Sequence, residues 1–210
     1  MDLNETTIKE VLAKAFIPSL PPETPYPPEF IQTNILRAAV LLPFLKQEGQ
    51  WHLLFIRRTY HENDRHKGQV AFPGGRCNSL DQSVEAAALR EAFEETGILQ
   101  DDVKILGRLQ DMLTITGYQV TPIVGTFPWP YRLIPQPEEV SRIFTIPLCW
   151  LADPNNRVIR NREIQIQGKS VPVIYFKQYD GETLWGASAR ITMLLLEALG
   201  LSQPEERYRP

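Results

Sequence analysis

The chain has 210 residues and a net charge of -3, with 22 Lys plus Arg against 25 Asp plus Glu. Apolar residues make up 43% and charged residues 22%, a balance that builds a core and excludes wholesale disorder. The near-neutral charge points to no nucleic-acid or membrane-surface partner, and the longest apolar stretch, Ala38 to Leu45, is far short of the ~20 residues that span a bilayer.

Asp2 and Glu5 stand where a secretory signal would carry basic residues, so the expected location is cytoplasmic. Leu3 to Phe16 reads as a short amphipathic helix. Pro18 to Pro28 then holds six prolines in eleven residues, an extended surface linker with few backbone donors. The main domain is expected to begin near Thr33. Arg37 to Leu45 and Trp51 to Arg57 read as antiparallel strands joined by a turn at Gln47-Glu48-Gly49-Gln50. Tyr60 to Lys67 is a charged loop, and Gln69 to Phe72 a short strand ended by Pro73-Gly74-Gly75. Ser83 to Thr96 reads as a helix, with Ser83 as N-cap and Gly97 just past its end. Strands are expected over Val103 to Gln110 and Val120 to Phe127, and a second Pro-rich loop over Pro128 to Pro137. Val158 to Ile166 and Val171 to Phe176 form a hairpin across Gln167-Gly168-Lys169, and Trp185 to Leu199 is a final helix. Strands before, between and after two helices predict a mixed α/β domain with a substantially antiparallel sheet.

The helix ending Arg90-Glu91-Ala92-Phe93-Glu94-Glu95-Thr96-Gly97 carries the most information. At about 100° per residue, Glu91, Glu94 and Glu95 share one sector with Ala87 and Ala88, while Ala86, Leu89 and Phe93 cluster opposite and are expected in the core. The acids repel at i, i+4 by a few tenths of a kcal/mol. They also crowd the negative end of the helix dipole, at roughly 0.3–1 kcal/mol each. A divalent cation would reverse the sign of both effects, and oxygen donors without a Cys/His pattern suit Mg²⁺ or Mn²⁺ rather than zinc. A solvated acidic face explains the same eight residues, and Arg90 reaching Glu94 at i, i+4 fits either reading.

Phe72-Pro73-Gly74-Gly75 lies just upstream. Glycines let the backbone approach a ligand closely, yet neither a Walker loop nor a Gly-x-Gly-x-x-Gly fingerprint is present. Gly-Gly alone is a turn; followed by Arg-Glu-x-x-Glu-Glu-x-Gly on a helix it becomes specific.

On these residues the chain resembles a Nudix hydrolase. Gly75, five residues, Asp81, eight residues, then Arg90-Glu91-Ala92-Phe93-Glu94-Glu95-Thr96-Gly97-Ile98 follows the family box. Asp81 replaces a Glu, and the second spacer is one residue longer. The stretches Gly68 to Gly75, Thr116 to Pro122 and Leu184 to Ile191 resemble the coenzyme A pyrophosphatase subgroup. Arg58-Thr59 matches its approach to the glycines loosely, and Asp64 stands where that subgroup has Arg.

The resemblance implies an α/β Nudix fold, a mixed β-sheet packed between α-helices. Residues 1–32 would be an N-terminal helix and Pro-rich linker, 33–200 the Nudix hydrolase domain, and 201–210 a C-terminal tail. It implies hydrolysis of a pyrophosphate bond with Mg²⁺ or Mn²⁺, first of coenzyme A or acyl-CoA to 3′,5′-ADP and 4′-phosphopantetheine. Glu91, Glu94, Glu95 and Gly75 are then the expected metal ligands, and Glu94, Arg90 and Glu91 the expected catalytic set. Arg58, Gly74, Gly75 and Tyr118 are expected to bind substrate.

Arg57, Arg58, Arg65, His66 and Lys67 form a basic stretch for phosphates or a solvated loop. Tyr118 and Trp185 read first as core or hairpin aromatics, and then as surfaces for a base or pantetheine. Glu139 reads first as an acid at a helix N-terminus and second as a late carboxylate near the site. Cys77 and Cys149 make neither a disulfide framework nor a zinc site, Cys77 is not marked as a nucleophile, and His61 and His66 lack further ligands. The expected partner is a small-molecule nucleotide substrate, with no nucleic acid, no membrane, and a homodimer admitted. The rival readings are a Nudix hydrolase for ADP-ribose or a dinucleotide, a silent nucleotide-binding regulatory Nudix domain, and a structural domain with an acidic surface helix.

Overall fold

The computed structural model describes residues 3–24, 26, 31, 33–60, 68–163 and 170–203. Arg65, His66, Lys67, His61, Asp64 and the turn at Gln167-Gly168-Lys169 lie outside the described residues.

Helix α1 (Glu5–Ala15) starts at Asn4, whose side chain accepts from the Thr7 N–H at 2.9 Å. Ile8 and Leu12, one turn apart, are fully buried in the main core. The Trp51 indole N–H reaches back to the Leu3 carbonyl at 2.5 Å. The segment ahead of the proline run is thus packed into the domain.

Strands β1 (Leu36–Gln47) and β2 (Gln50–Arg58) pair antiparallel across Glu48-Gly49. Both turn residues have positive φ, 50° and 78°, the backbone a two-residue hairpin demands. β3 (Val70–Ala71) pairs with β2, and β4 (Gly74–Arg76) with β1. Gly74-Gly75 is therefore a short strand rather than the end of one. Next come α2 (Val84–Thr96), β5 (Lys104–Arg108), β6 (Met112–Leu113), β7 (Tyr118–Thr126) and β8 (Val140–Pro147). α3 (Leu148–Ala152), the hairpin β9 (Arg157–Glu163) with β10 (Ser170–Phe176), and α4 (Gly186–Ala198) complete the chain.

The main sheet runs β3-β2-β1-β7-β5, with β4 also on β1, β6 on β7 and β8 on β2. Only the β1–β7 pairing is parallel among the described strands. β1 is central and buried on both faces, which accounts for its continuous apolar run. It also contains Pro43, a residue central strands normally exclude. Away from β7, β1 pairs with β4 through Ala38–Val40 and with β2 through Phe44–Gln47. Pro43 falls in the gap between these partners, where no ladder N–H is needed.

One face of the sheet carries α2, with Ala87, Ala88 and Ala92 against Ala39, Leu41 and Ile123. The other carries the larger core, in which α4 and α1 meet Ala38, Leu42, Phe44, Val120 and Val124. This corrects the expected burial of α2. Phe93 is 44% exposed, and Leu89 and Ala86 are only half-buried. The three alanines make the closer contact, which brings the acid-bearing side of the helix down onto the sheet.

Candidate active site

Every residue of Phe72-Pro73-Gly74-Gly75 has a separate task. Phe72 is buried and packs on Phe55 at 4.6 Å between ring centroids. The Pro73 carbonyl accepts from the Leu41 N–H at 2.8 Å. Gly74 has φ +154°, and a Cβ there would collide with the backbone of Ala39 and Val40. Its N–H donates to Glu95 Oε2 at 2.8 Å. At Gly75 the space of a missing Cβ is filled by the Glu91 carboxylate.

Helix α2 is capped as expected. The Ser83 hydroxyl accepts from the Ala86 N–H at 3.1 Å, and Gly97 closes the helix in the left-handed region. The second Pro-rich loop covers this end. The Ile134 N–H meets the Thr96 carbonyl at 2.8 Å, and the Gln136 N–H meets the Glu95 carbonyl at 3.2 Å. Val140 and Glu139 donate back to the Gln136 carbonyl, so the loop turns directly into β8. Glu139 therefore sits in a turn, and no helix follows it. It faces the site closely enough for its charge to disfavour ionisation of Glu91 and Glu95. The helix-terminus reading of Glu139 is wrong because the backbone enters a strand there.

The three acids of α2 have different surroundings. Glu95 is 1% exposed, and burial pushes its carboxyl up to about 8, against the opposing pull of the Gly74 N–H and Arg58. Glu91 is half-buried and also raised, chiefly by burial, with Arg90 opposing. Glu94 is half exposed and shares Arg90. The structure thus brings Glu91 and Glu95 to the Gly-Gly strand and turns Glu94 toward solvent.

Arg90 is saturated. Its Nε and Nη2 grip the two oxygens of Asp81 at 2.9 and 3.0 Å. Nη1 donates to Glu91 at 2.9 Å and Glu94 at 3.2 Å, and Nη2 also reaches the Arg76 carbonyl at 3.3 Å. A guanidinium has five N–H groups, and all five have acceptors. Arg90 therefore positions Glu91 and Glu94 and has no donor left for a substrate. Asp81, held well below the usual carboxylate range by the Arg90 hydrogen bond, anchors it. Asp81 itself is set in a turn closed by Asn78, whose side chain accepts from the Leu80 and Asp81 N–H groups.

Of the other expected residues, Arg58 approaches Glu95 at 3.8 Å. Tyr118 packs against the core on the sheet face away from α2, and no contact joins it to the carboxylates. Trp185 stacks on Tyr175 with a 5.6 Å centroid separation. Arg57 pairs with Glu182 at 3.4 Å.

Among the described residues, no three His, Cys, Asp or Glu side chains converge into a closed cation site. The donors present are still suited to one kind of ion. Glu91 and Glu95 are hard oxygen ligands beside a glycine strand, and the buried one is incompletely compensated. That set fits an oxygen-coordinated dication and offers no thiolate or imidazole for zinc.

A NUDIX domain spans residues 35–167. The chain belongs to the Nudix hydrolases and is a pyrophosphatase of that type; such enzymes generally use divalent metal ions. Its relatives include the Nudix hydrolase NudL of Enterobacter sp. (strain 638), 38% identical over 169 residues that cover 80% of this chain and 85% of the relative. NudL of Escherichia coli (strain SMS-3-5 / SECEC) is 39% identical over 170 residues, covering 80% and 85%. Among solved structures, the M. smegmatis Nudix hydrolase RenU is 20% identical with a TM-score of 0.47, covering 56% of this chain and 74% of that one.

The described helices include none long and apolar enough to cross a membrane. Sequence reasoning missed β8, although Val140, Phe144 and Ile146 alternate as buried strand residues. It also missed Glu182, which carries no motif and becomes visible only when its loop meets Arg57 and Arg142.

Proposed function

We propose that this enzyme hydrolyses the pyrophosphate bond of coenzyme A or an acyl derivative, yielding 3′,5′-ADP and 4′-phosphopantetheine, with Mg²⁺ or Mn²⁺. The observation that carries the hydrolytic part is the close approach of Glu91 and Glu95 to a glycine strand, Glu91 filling the space a Cβ would take at Gly75 and Glu95 accepting the Gly74 N–H. The choice of coenzyme A rests on the likeness of Gly68–Gly75, Thr116–Pro122 and Leu184–Ile191 to the subgroup that cleaves it.

Glu91 and Glu95 would hold the ion, with the Gly75 carbonyl beside them and Glu94 at the rim. When bound, the dication neutralises the diphosphate and lowers the pKa of water. Water adds to one phosphorus, the bridging oxygen leaves with the other phosphate, and a proton passes to a carboxylate. Glu94 and Glu139 both carry carboxylates on this side of the molecule and are the candidate bases. Arg90 holds Glu91 and Glu94 in place. Arg58 and Gly74 would contact the phosphates, and Tyr118 is assigned to the substrate's remoter part.

The test is mass spectrometry of products from coenzyme A, ADP-ribose and NADH, each with Mg²⁺, with Mn²⁺ and with chelator. Metal-dependent 3′,5′-ADP plus 4′-phosphopantetheine supports the proposal. Cleavage of ADP-ribose or NADH alone moves the substrate elsewhere. Inertness toward all three and toward a wider panel of diphosphates would overturn it.

A further inference from the structure

Arg58 ends β2 at a break in the sheet. Arg57 lies opposite Arg142 on β8, but Arg58 lies opposite Val140, leaving Ser141 as the extra residue of a bulge. The Ser141 hydroxyl donates to the Arg57 carbonyl at 3.0 Å and holds the bulge closed. The two adjacent guanidiniums, on alternate faces of the strand, go to different acids. Arg57 goes to Glu182, which also receives Arg142 Nη1 at 3.2 Å. Arg58 goes to Glu95.

Glu95 divides its two oxygens. Oε2 accepts the Gly74 N–H, and Oε1 faces Arg58 Nη1 at 3.8 Å. Among the described residues Arg58 is the one cation within ion-pair distance of this buried carboxylate. The contact is too long for a hydrogen bond yet short enough for strong Coulomb attraction. The Arg58 side chain is 32% exposed. We propose that Arg58 is the internal counter-ion of Glu95 and competes with the dication for it, so that Arg58 sets the enzyme's metal affinity. This rests on the reading of Glu95 as a metal ligand.

The test is Mn²⁺ titration of the full chain without substrate, following free Mn²⁺ by electron paramagnetic resonance. Circular dichroism checks that each variant is folded. R58Q is expected to bind Mn²⁺ about three- to tenfold more tightly than the parent, through loss of a competing charge. R58K keeps the charge, and R57Q removes an equal charge directed at Glu182; both should stay within about twofold of the parent. E95Q should weaken binding. Parent-like or weaker binding by R58Q, with E95Q still weakened, overturns the counter-ion role and leaves the metal site standing. Tightening by R57Q equal to that by R58Q reduces the effect to bulk charge and also overturns it. A parent protein that binds no Mn²⁺, or an E95Q that binds it unchanged, removes the metal site and this inference together.

Discussion

Arg90 has five donors and five acceptors, so its geometry matters as much as its charge. Lysine offers three donors on a flexible stem and cannot bridge Asp81, Glu91 and Glu94 together. Arg90→Lys should therefore lower kcat by about 10–100-fold, with KM moved less, as losses behind metal ligands commonly do. Steady-state kinetics on coenzyme A would check this; a parent-like kcat would remove Arg90 as a positioning residue. Glu95 makes a different prediction. Its folded-state carboxyl is raised from the ordinary 4.5 to about 8 by burial, so the fold favours the protonated form. That contribution is fully present below pH 4.5 and is lost as pH rises through 8. Glu95→Gln should abolish hydrolysis while leaving metal-free protein more stable than the parent at pH 9, by about 2–4 kcal/mol. Melting in chelator across this range measures it, and added Mn²⁺ should raise Tm for the parent but not the variant. The spacing of Glu91, Glu94 and Glu95 was readable from the sequence, because helical period alone puts them on one side. Which two turn inward was not, since that depends on how far the alanine face lets α2 descend onto Ala39 and Ile123.

At the scale of elements, the caps of α2, the β1–β2 hairpin and the β9–β10 hairpin were legible because each rests on local chemistry. β4 and β8 were not. β4 is three residues long and exists because β1 offers it an edge. β8 follows a Pro-rich loop whose composition hid the alternation after it. The close fit of that loop over α2 carries a prediction of its own. Gly97 has φ +75°, and a Cβ there would lie 3.0 Å from Ile134 Cβ. Gly97→Ala should cost about 1–2 kcal/mol from the left-handed backbone. It should also lower kcat, because the displaced loop carries Glu139. Denaturant melts and turnover together check both effects; a loss of stability with unchanged kcat would separate the loop from the chemistry.

For the whole molecule, the Nudix assignment was legible from one strand and one helix, whereas the integration of the N-terminal segment was not. The proline run looks like a boundary, but Ile8 and Leu12 on its far side are core residues. Leu12→Ala should destabilise the entire domain by about 2–5 kcal/mol, as large-to-small core changes do. A single cooperative denaturation curve would measure it, and a shift below about 1 kcal/mol would show the helix to be peripheral. The loop from Ile134 to Glu139 has a consequence of the same breadth. Its near end is bonded to the last turn of α2, and its far end, through the Glu139 carbonyl and the Thr59 N–H at 2.8 Å, is bonded to the end of β2. It acts as a ruler between the helix and the sheet. The distance of Glu139 from Glu95 is thus written in chain length, and one residue inserted or removed there could retune the chemistry while every residue of the box stays the same.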